Sequence, residues 1–515
     1  MKKFIILSLC GLLIMAFSAT VYAQKLDFKV SGAIYTTSYL YRNLPDTEDI
    51  FGGPKSPSDW TSSTASKRGT IDRTQSWMAT RARLKFDAVM EKDLSGTIYF
   101  EMDSSRWGDN EGSSKDGSLQ RNSMGYWGAD RAAVEVKQAF IDFGLSKIGL
   151  PVPVSMRIGL VPAAVRPHMV LDIDGMGIIG TIKLDPVTIT PMWFKPFEGK
   201  DAAADDVDYY ALEVSAKIDK LTVGGYGLYA NMNSYSIDSA STAASAAYEA
   251  GTDNQAKMFW LGAYLDGRLG PVDINTDIVM DRGKVESIKY PVTKADVKYS
   301  GWATRARVDY PWEKFNFGAA FSYGSGANAK KTSETGLPGE TVAAGTAAST
   351  KMGSYVHPPG DFGSNPDRLS IFWGSPVTTV DPKFSSTDSN TSMYRGSFGG
   401  TWMAKIYGSY KLAPWYKVTL GGMYIGDTTK NGNTVGTARK SPYAATDLRD
   451  DKTIGVEVGL LNDFLIYNNL TLGVNLGYLF PGNALDQWDA MATGTDKNVD
   501  MKNPWILGTY LNYKF

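Results

Sequence analysis

Along much of the chain, apolar and polar residues trade places at every step. Met78, Thr80, Ala82, Leu84, Phe86 and Ala88 alternate with Trp77, Ala79, Arg81, Arg83, Lys85 and Asp87. Ile98, Phe100 and Met102 alternate with Thr97, Tyr99, Glu101 and Asp103, and Ile274, Thr276, Ile278 and Met280 with Asp273, Asn275, Asp277 and Asp281. A period of two is the signature of a β-strand with one greasy face. Eighteen such segments start near residues 26, 75, 95, 132, 154, 176, 187, 207, 221, 256, 272, 298, 314, 396, 416, 452, 469 and 504. Each has about the ten residues that a tilted transmembrane strand requires. The alternation is weakest between 132 and 197, so sixteen or twenty strands also fit.

The connections alternate as well. Glu91 to Leu94, Leu184 to Pro186, Asp266 to Pro271, Tyr310 to Glu313 and Leu412 to Pro414 are short; 42–74, 105–131, 231–255, 427–451 and 481–503 are long. Short turns on one side and long loops on the other are what an antiparallel transmembrane barrel gives. The fold class expected is therefore all-β: one such barrel over residues 24–515, with an even strand number and both termini periplasmic. A large insertion at 324–395, rich in Gly, Ala, Ser, Thr and Pro, reads either as a loop that covers the pore or as a mobile external loop.

The first residues change the picture of destination rather than fold. Lys2 and Lys3 precede an apolar run from Phe4 to Phe17, and small residues lead to Ala23. This is the layout of a secretory signal cleaved after Ala23, too short for a spanning helix. Cys10, the only cysteine, would leave with residues 1–23, and no disulfide or thiolate metal site is expected. The remainder carries 51 basic and 54 acidic residues, near enough to neutrality that nothing points to nucleic acid. Gly 53, Tyr 28 and Trp 13 are high for a soluble enzyme. Only helices and closed barrels satisfy every backbone group in lipid, and no segment after residue 23 could span as a helix.

Candidate chemistry lies on the polar parity. Arg81, Arg83 and Lys85 share one face, and a slip of one residue would turn all three toward lipid. At about 2–4 kcal/mol per cation near the midplane, that slip would cost on the order of 6–12 kcal/mol, so the three must face the lumen. Trp302-Ala303-Thr304-Arg305-Ala306-Arg307-Val308-Asp309 nearly repeats Trp77 to Leu84 and puts Arg305 and Arg307 on the inward parity. Arg157, Lys405 and Lys417 join them. Basic side chains in a pore favour anions. The alternative is that they pair with lumen acids, among them Asp87, Glu101, Asp103, Glu213, Asp277, Asp309 and Glu457, and brace the wall. The expected pore-lining set is Arg81, Arg83, Lys85, Glu101, Asp103, Arg157, Asp277, Arg305, Arg307, Asp309 and Lys405.

Trp193, Trp260, Trp302, Trp402, Trp415, Tyr478 and Trp505 fall near strand ends, where interfacial aromatic girdles are expected. The two histidines, His168 and His357, sit in predicted loops. Catalysis would need a carboxylate or serine beside one of them, and Asp172-Ile173-Asp174-Gly175 lacks the full spacing of a calcium loop. No enzyme, metal or cofactor is expected.

Lys137-Gln138-Ala139-Phe140-Ile141-Asp142-Phe143, followed by Met156-Arg157-Ile158-Gly159-Leu160 and later by Gly477-Tyr478-Leu479-Phe480-Pro481-Gly482-Asn483-Ala484, resembles the eighteen-stranded alginate-export porin family. The resemblance implies an arginine-rich conduit, a part that Arg81, Arg83, Arg157, Arg305 and Arg307 could play for an acidic solute. Leu160 and Val161 depart from it, standing where that family tends to show polar or basic residues. Together these readings lead to an outer-membrane porin in contact with lipid and lipopolysaccharide, passing small hydrophilic or anionic solutes by diffusion. The alternatives are an adhesion barrel with a blocked lumen, a sheath around a partner protein, and, more remotely, an outer-membrane hydrolase.

Overall fold

The computed structural model describes residues 26–43, 74–107, 123–124, 134–198, 205–233, 254–287, 297–328, 351–358, 371, 399–433, 438–440, 449–488 and 498–515. The signal at 1–23, most of the insertion at 324–395 and the Asp103 side chain lie outside them.

Eighteen long strands form the wall. They are β1 Asp27–Arg42, β2 Thr74–Glu91, β3 Leu94–Trp107, β4 Glu135–Gly144, β5 Val154–Val165 and β6 Leu171–Leu184. Next come β7 Val187–Phe197, β8 Val207–Ile218, β9 Leu221–Met232, β10 Asn254–Leu269, β11 Val272–Ser287 and β12 Trp302–Trp312. The ring is completed by β13 Phe315–Gly324, β14 Thr401–Ala413, β15 Tyr416–Asp427, β16 Thr453–Tyr467, β17 Leu470–Pro481 and β18 Trp505–Lys514. Every strand pairs antiparallel with the next, and β18 pairs back onto β1 from Ala33↔Lys514 to Arg42↔Trp505. Phe515 finishes that seam, exchanging backbone hydrogen bonds of 2.8 and 3.0 Å with Gly32. Closure leaves no open edge, which is what lets a sheet stand in hydrocarbon.

The expected strand count and alternation hold around the ring. On β11, Ile278 and Met280 are exposed while Asp277, Val279 and Asp281 are buried. On β1 the exposed positions include Phe28, Val30 and Ile34, and on β15 Leu420 is 62% exposed. An outer surface this apolar, on a closed sheet with a charged interior, is stable against lipid and not against water. Seven connections on one side are two-residue turns, such as Lys92-Asp93 and Gly270-Pro271, and both ends of the barrel lie on that side. All nine connections on the opposite side are longer.

Two details depart from the sequence reading. The segment expected to begin near 298 is split: Val297–Tyr299 is a short strand of its own, and β12 begins only at Trp302. The segment expected near 176 begins at Leu171 and is the return arm of a hairpin that leaves the wall. Each departure is made by a different segment that enters the barrel interior, residues 351–358 in the first case and the hairpin itself in the second.

Candidate functional site

The β5–β6 hairpin pairs with its neighbours for only part of its length. β4 accompanies β5 as far as Ala139↔Leu160, and β7 accompanies β6 back to Met176↔Lys195. Beyond those points the arms pair with each other alone, from Val161↔Gly175 to Val165↔Leu171. Freed of an outer neighbour, this stretch tolerates Pro162, whose missing N–H would break a central ladder. Gly159 sits at the departure point with φ +133°, where a Cβ would meet the Ala139 carbonyl oxygen at 2.3 Å. Only glycine serves there.

The hairpin tip goes inward. Val161, Ala163, Val165, Met169, Val170 and Leu171 are at most 2% exposed and join the buried cluster that includes Phe194, Tyr209, Leu228 and Met258. Arg166 at the tip stands five residue steps beyond Val161, a reach of roughly 17 Å at strand rise. The Arg166 guanidinium meets the Asp277 carboxylate in a bidentate pair, 2.6 Å from Nε to Oδ1 and 2.7 Å from Nη2 to Oδ2. It also donates to Asp266 at 2.8 Å and lies 3.8 Å over the Tyr264 ring. These partners belong to β10 and β11, five strands round the ring from the hairpin's root. At that root Asp174 accepts from Lys137 and from Gln138, each at 2.7 Å. A register shift between Tyr99 and Phe100 bulges β4 at Lys137, which lets two successive residues reach one carboxylate.

A second segment braces the same tip. Residues 351–358 of the insertion run beneath the start of β12 and are mostly buried. Asp281, fully buried on β11, accepts hydrogen bonds from Gly301 N at 2.8 Å and Val356 N at 3.0 Å. The two chains lie so close at Gly301 that a Cβ would meet Ser354 O at 2.4 Å and Tyr355 Cα at 2.5 Å. That crossing interrupts the strand at 300–301. Trp260 Nε1 donates to Val356 O at 2.7 Å, and Tyr355 donates through its hydroxyl to Met169 O on the hairpin. Burial, with the nearby Tyr226, Asp281 and Asp277, pushes the Tyr355 hydroxyl well above the usual tyrosine range, so it stays a donor. Further along, Ile371 N donates to the buried Glu457 of β16.

The predicted charges divide into local pairs. Arg83 donates to Glu101, which also lies 3.9 Å from Arg81 and 3.4 Å from Lys137. Lys85 pairs with Asp87 at 3.1 Å, and Arg157 binds Asp142 at 2.7 and 2.9 Å. Arg307 donates to Asp309 and to Tyr407, each at 2.8 Å. Arg305, 6% exposed, stands in register opposite Asp277. Lys405 is buried, 5.5 Å from the Tyr407 ring. Acids on adjacent positions pair with most of these cations.

Trp260 corrects an expectation. It is fully buried on the inward parity and belongs to the loop contact, not to an interfacial girdle. Trp302 and Trp415, 40% and 56% exposed, are outward. His168 stands at the hairpin tip with φ +71°, and the buried His357 has Nδ1 2.8 Å from Pro358 O. Neither histidine was expected to contribute chemistry. Arg166 and Asp266 were not singled out from sequence as site residues. A signal was present: Leu160-Val161-Pro162-Ala163-Ala164-Val165 is apolar on both parities, which a wall strand between lipid and water is not.

Neither the known family models nor the curated proteins include a match to this chain. Solved structures similar to it include OccAB4 of Acinetobacter baumannii, with TM-score 0.47 and 8% identity over 96% of this chain and 100% of that one. OpdQ of Pseudomonas aeruginosa gives 0.46 and 10% over 95% and 98%, and OccK11 (OpdR) of the same organism 0.45 and 9% over 95% and 96%. Likeness at this level does not reach substrate or individual residues.

Proposed function

We propose that the protein is an outer-membrane porin through which small hydrophilic solutes diffuse, with its narrowest section set by the inserted hairpin 161–175 and the loop segment 351–358. The observation that carries the reading is Arg166: a cation at a hairpin tip, anchored to Asp266 and Asp277 far round the ring, holds a narrowing element in the lumen. A wall alone would need no such anchor. Burying three charges together is costly unless they satisfy one another, and bidentate geometry is the form in which they do.

The expected pore-lining set, Arg81, Arg83, Lys85, Glu101, Asp103, Arg157, Asp277, Arg305, Arg307, Asp309 and Lys405, belongs to this proposal. Within it, Arg81, Arg83, Lys85, Lys137 and Arg157 on β2, β4 and β5 stand against an equal number of carboxylates, Asp87, Glu101, Asp103, Asp142 and Asp174, but Arg81, Arg83 and Lys85 are grouped along one strand. That grouping supports at most a weak local preference for anions. The resemblance to alginate-export porins favours an acidic solute too, but the apolar Leu160 and Val161 at the hairpin root argue against a long polysaccharide. No catalytic role is assigned to the chain.

Reconstitution in planar bilayers tests the proposal. Discrete conductance steps are expected, with a reversal potential displaced modestly toward anions across a salt gradient. A protein that inserts yet carries no current would overturn it in favour of a closed binding barrel.

A further inference from the structure

The wall is continuous round the ring only as high as the β5–β6 hairpin stays in it. β4 has β5 beside it up to Ala139, and β7 has β6 beside it up to Lys195. Above those points β4 runs on from Gln138 to Glu135 with β3 on one side and, among the described residues, no strand on the other. With two strands gone, the space between β4 and β7 is three strand spacings wide, roughly 14 Å. Val136 stands eight residues from Gly144 at the short-turn side, about 20 Å up at strand rise and a tilt near 40°, still within an apolar band roughly 25 Å tall. Val134 and Val136, 67% and 48% exposed, border the gap there. Open sheet edges do not occur in the hydrocarbon region, because lipid offers nothing to a backbone N–H or C=O. The edge of β4 therefore needs polypeptide beside it.

A second, independent feature marks the same side. On most strands the six residues nearest the short-turn side include an outward aromatic, such as Phe28, Phe86, Trp312, Phe315, Tyr467 and Tyr513. Across β5–β11, seven strands in succession, there is none among the described residues: Tyr226 and Tyr264, the two aromatics of that stretch, are buried on the inside. Interfacial aromatics belong where a barrel meets lipid headgroups, so a continuous sector without them is covered by something else. At mid-height Gly227 of β9, outward because Tyr226 and Leu228 are buried, lies in register between Leu212 of β8 and Leu261 of β10, 47% and 50% exposed. That leaves a trough for a partner's side chains. Above it Tyr210, Tyr229 and Phe259 stack in a row with ring centroids 6.3 and 4.5 Å apart, and aromatics of this kind are enriched in protein interfaces. Five strand intervals of about 6 Å from β5 to β10, over a band roughly 25 Å tall, give on the order of 800 Å² per copy, the size of a stable interface.

We propose that the face from β4 to β10 packs against a second copy of this chain, which covers the aliphatic sector and brings backbone to the free edge of β4. Between the two rims the outward positions of β5–β10 carry no charge that would select a different partner. An uncharged face is complementary to itself, as a two-fold pair requires, and a second copy always lies at the same depth in the same membrane. The assignment rests on the outer-membrane reading and is independent of what the lumen conducts.

The test uses the purified full barrel, reconstituted alone in lipid vesicles at increasing dilution, with copy number read by cross-linking. Pairs are expected, and Leu212→Trp with Val214→Trp should raise the protein density at which they dissociate at least about tenfold, since overfilling a packed surface is penalised. Ile406→Trp, on the other side of the ring at β14 and 72% exposed, should leave that density unchanged. Amide exchange at Glu135 to Gln138 should be slow in the pair and quicken on dilution, a readout that needs no variant to fold. A barrel that stays single at every dilution overturns the proposal and leaves the face to lipid or to a different protein. A pair that the double variant leaves intact, or fast exchange along the β4 edge within the pair, overturns it too. Conductance steps recorded on the same preparations keep the two readings apart: single barrels that conduct normally remove only this inference.

Discussion

Arg83 and Arg166 are the same residue type facing the same interior, yet their partners lie in different places. Arg83 donates to Glu101 on the adjacent strand, eighteen residues away, and the pair stiffens a wall that backbone ladders already hold. Arg166 reaches Asp277, 111 residues away, and ties down a hairpin that has given up its neighbours on both sides. A cation paired within the wall adjusts local potential, whereas a cation paired across the interior fixes where the hairpin lies. The two regions should therefore respond differently to the loss of their charges.

The largest effect is expected at the anchor. Arg166→Ala leaves the buried Asp277 without its bidentate partner, a loss on the order of 3 kcal/mol for a largely buried pair. Conductance should rise and become noisier as the tip loosens, in single-channel records. An unchanged conductance would mean that the hairpin holds its place by apolar packing alone. Gly301→Ala should come next. Its Cβ would press on backbone atoms of Ser354 and Tyr355, displacing the loop by an amount that limited proteolysis near 351–358 can read. Tyr355→Phe removes one donor to the hairpin and should cost about 1 kcal/mol. It is expected to increase current flicker without changing the mean conductance much, and a mean shift as large as that of Arg166→Ala would erase the distinction drawn here. Smallest should be the combined Arg81→Gln, Arg83→Gln and Lys85→Gln variant. The reversal potential should move toward cations by a modest step while the passage keeps its size, because the wall does not depend on those pairs for its course.

Much of this was legible in the chain. A period of two over ten residues, with cations confined to one parity, forces the orientation of β2 through the solvation of Arg81, Arg83 and Lys85. Turn chemistry such as Gly270-Pro271 and Pro414-Trp415 marks the ends. The site was less legible, because its contacts join residues 100 or more apart. Alternation reports which side of a sheet a residue takes, not whether the sheet continues. Leu160 to Val165 carried that information, but two-sided apolar character is shared by buried strands of many kinds. Trp260 shows the same limit from the other side: an aromatic near a strand end fits a lipid interface or a loop contact equally well until the loop is placed.

The sequence by itself determined a closed antiparallel barrel and the facing of its charges, and bounded the strand number between sixteen and twenty, since each follows from a local period and from the cost of putting a cation in hydrocarbon. Only the tertiary structure decided that the β5–β6 hairpin turns inward and is met there by residues 351–358. That choice depends on Arg166, Asp266, Asp277, Asp281 and Tyr355 arriving together from segments with no neighbourly relation along the chain. Pairing of that kind is a property of the closed ring and is not written in any one of its strands.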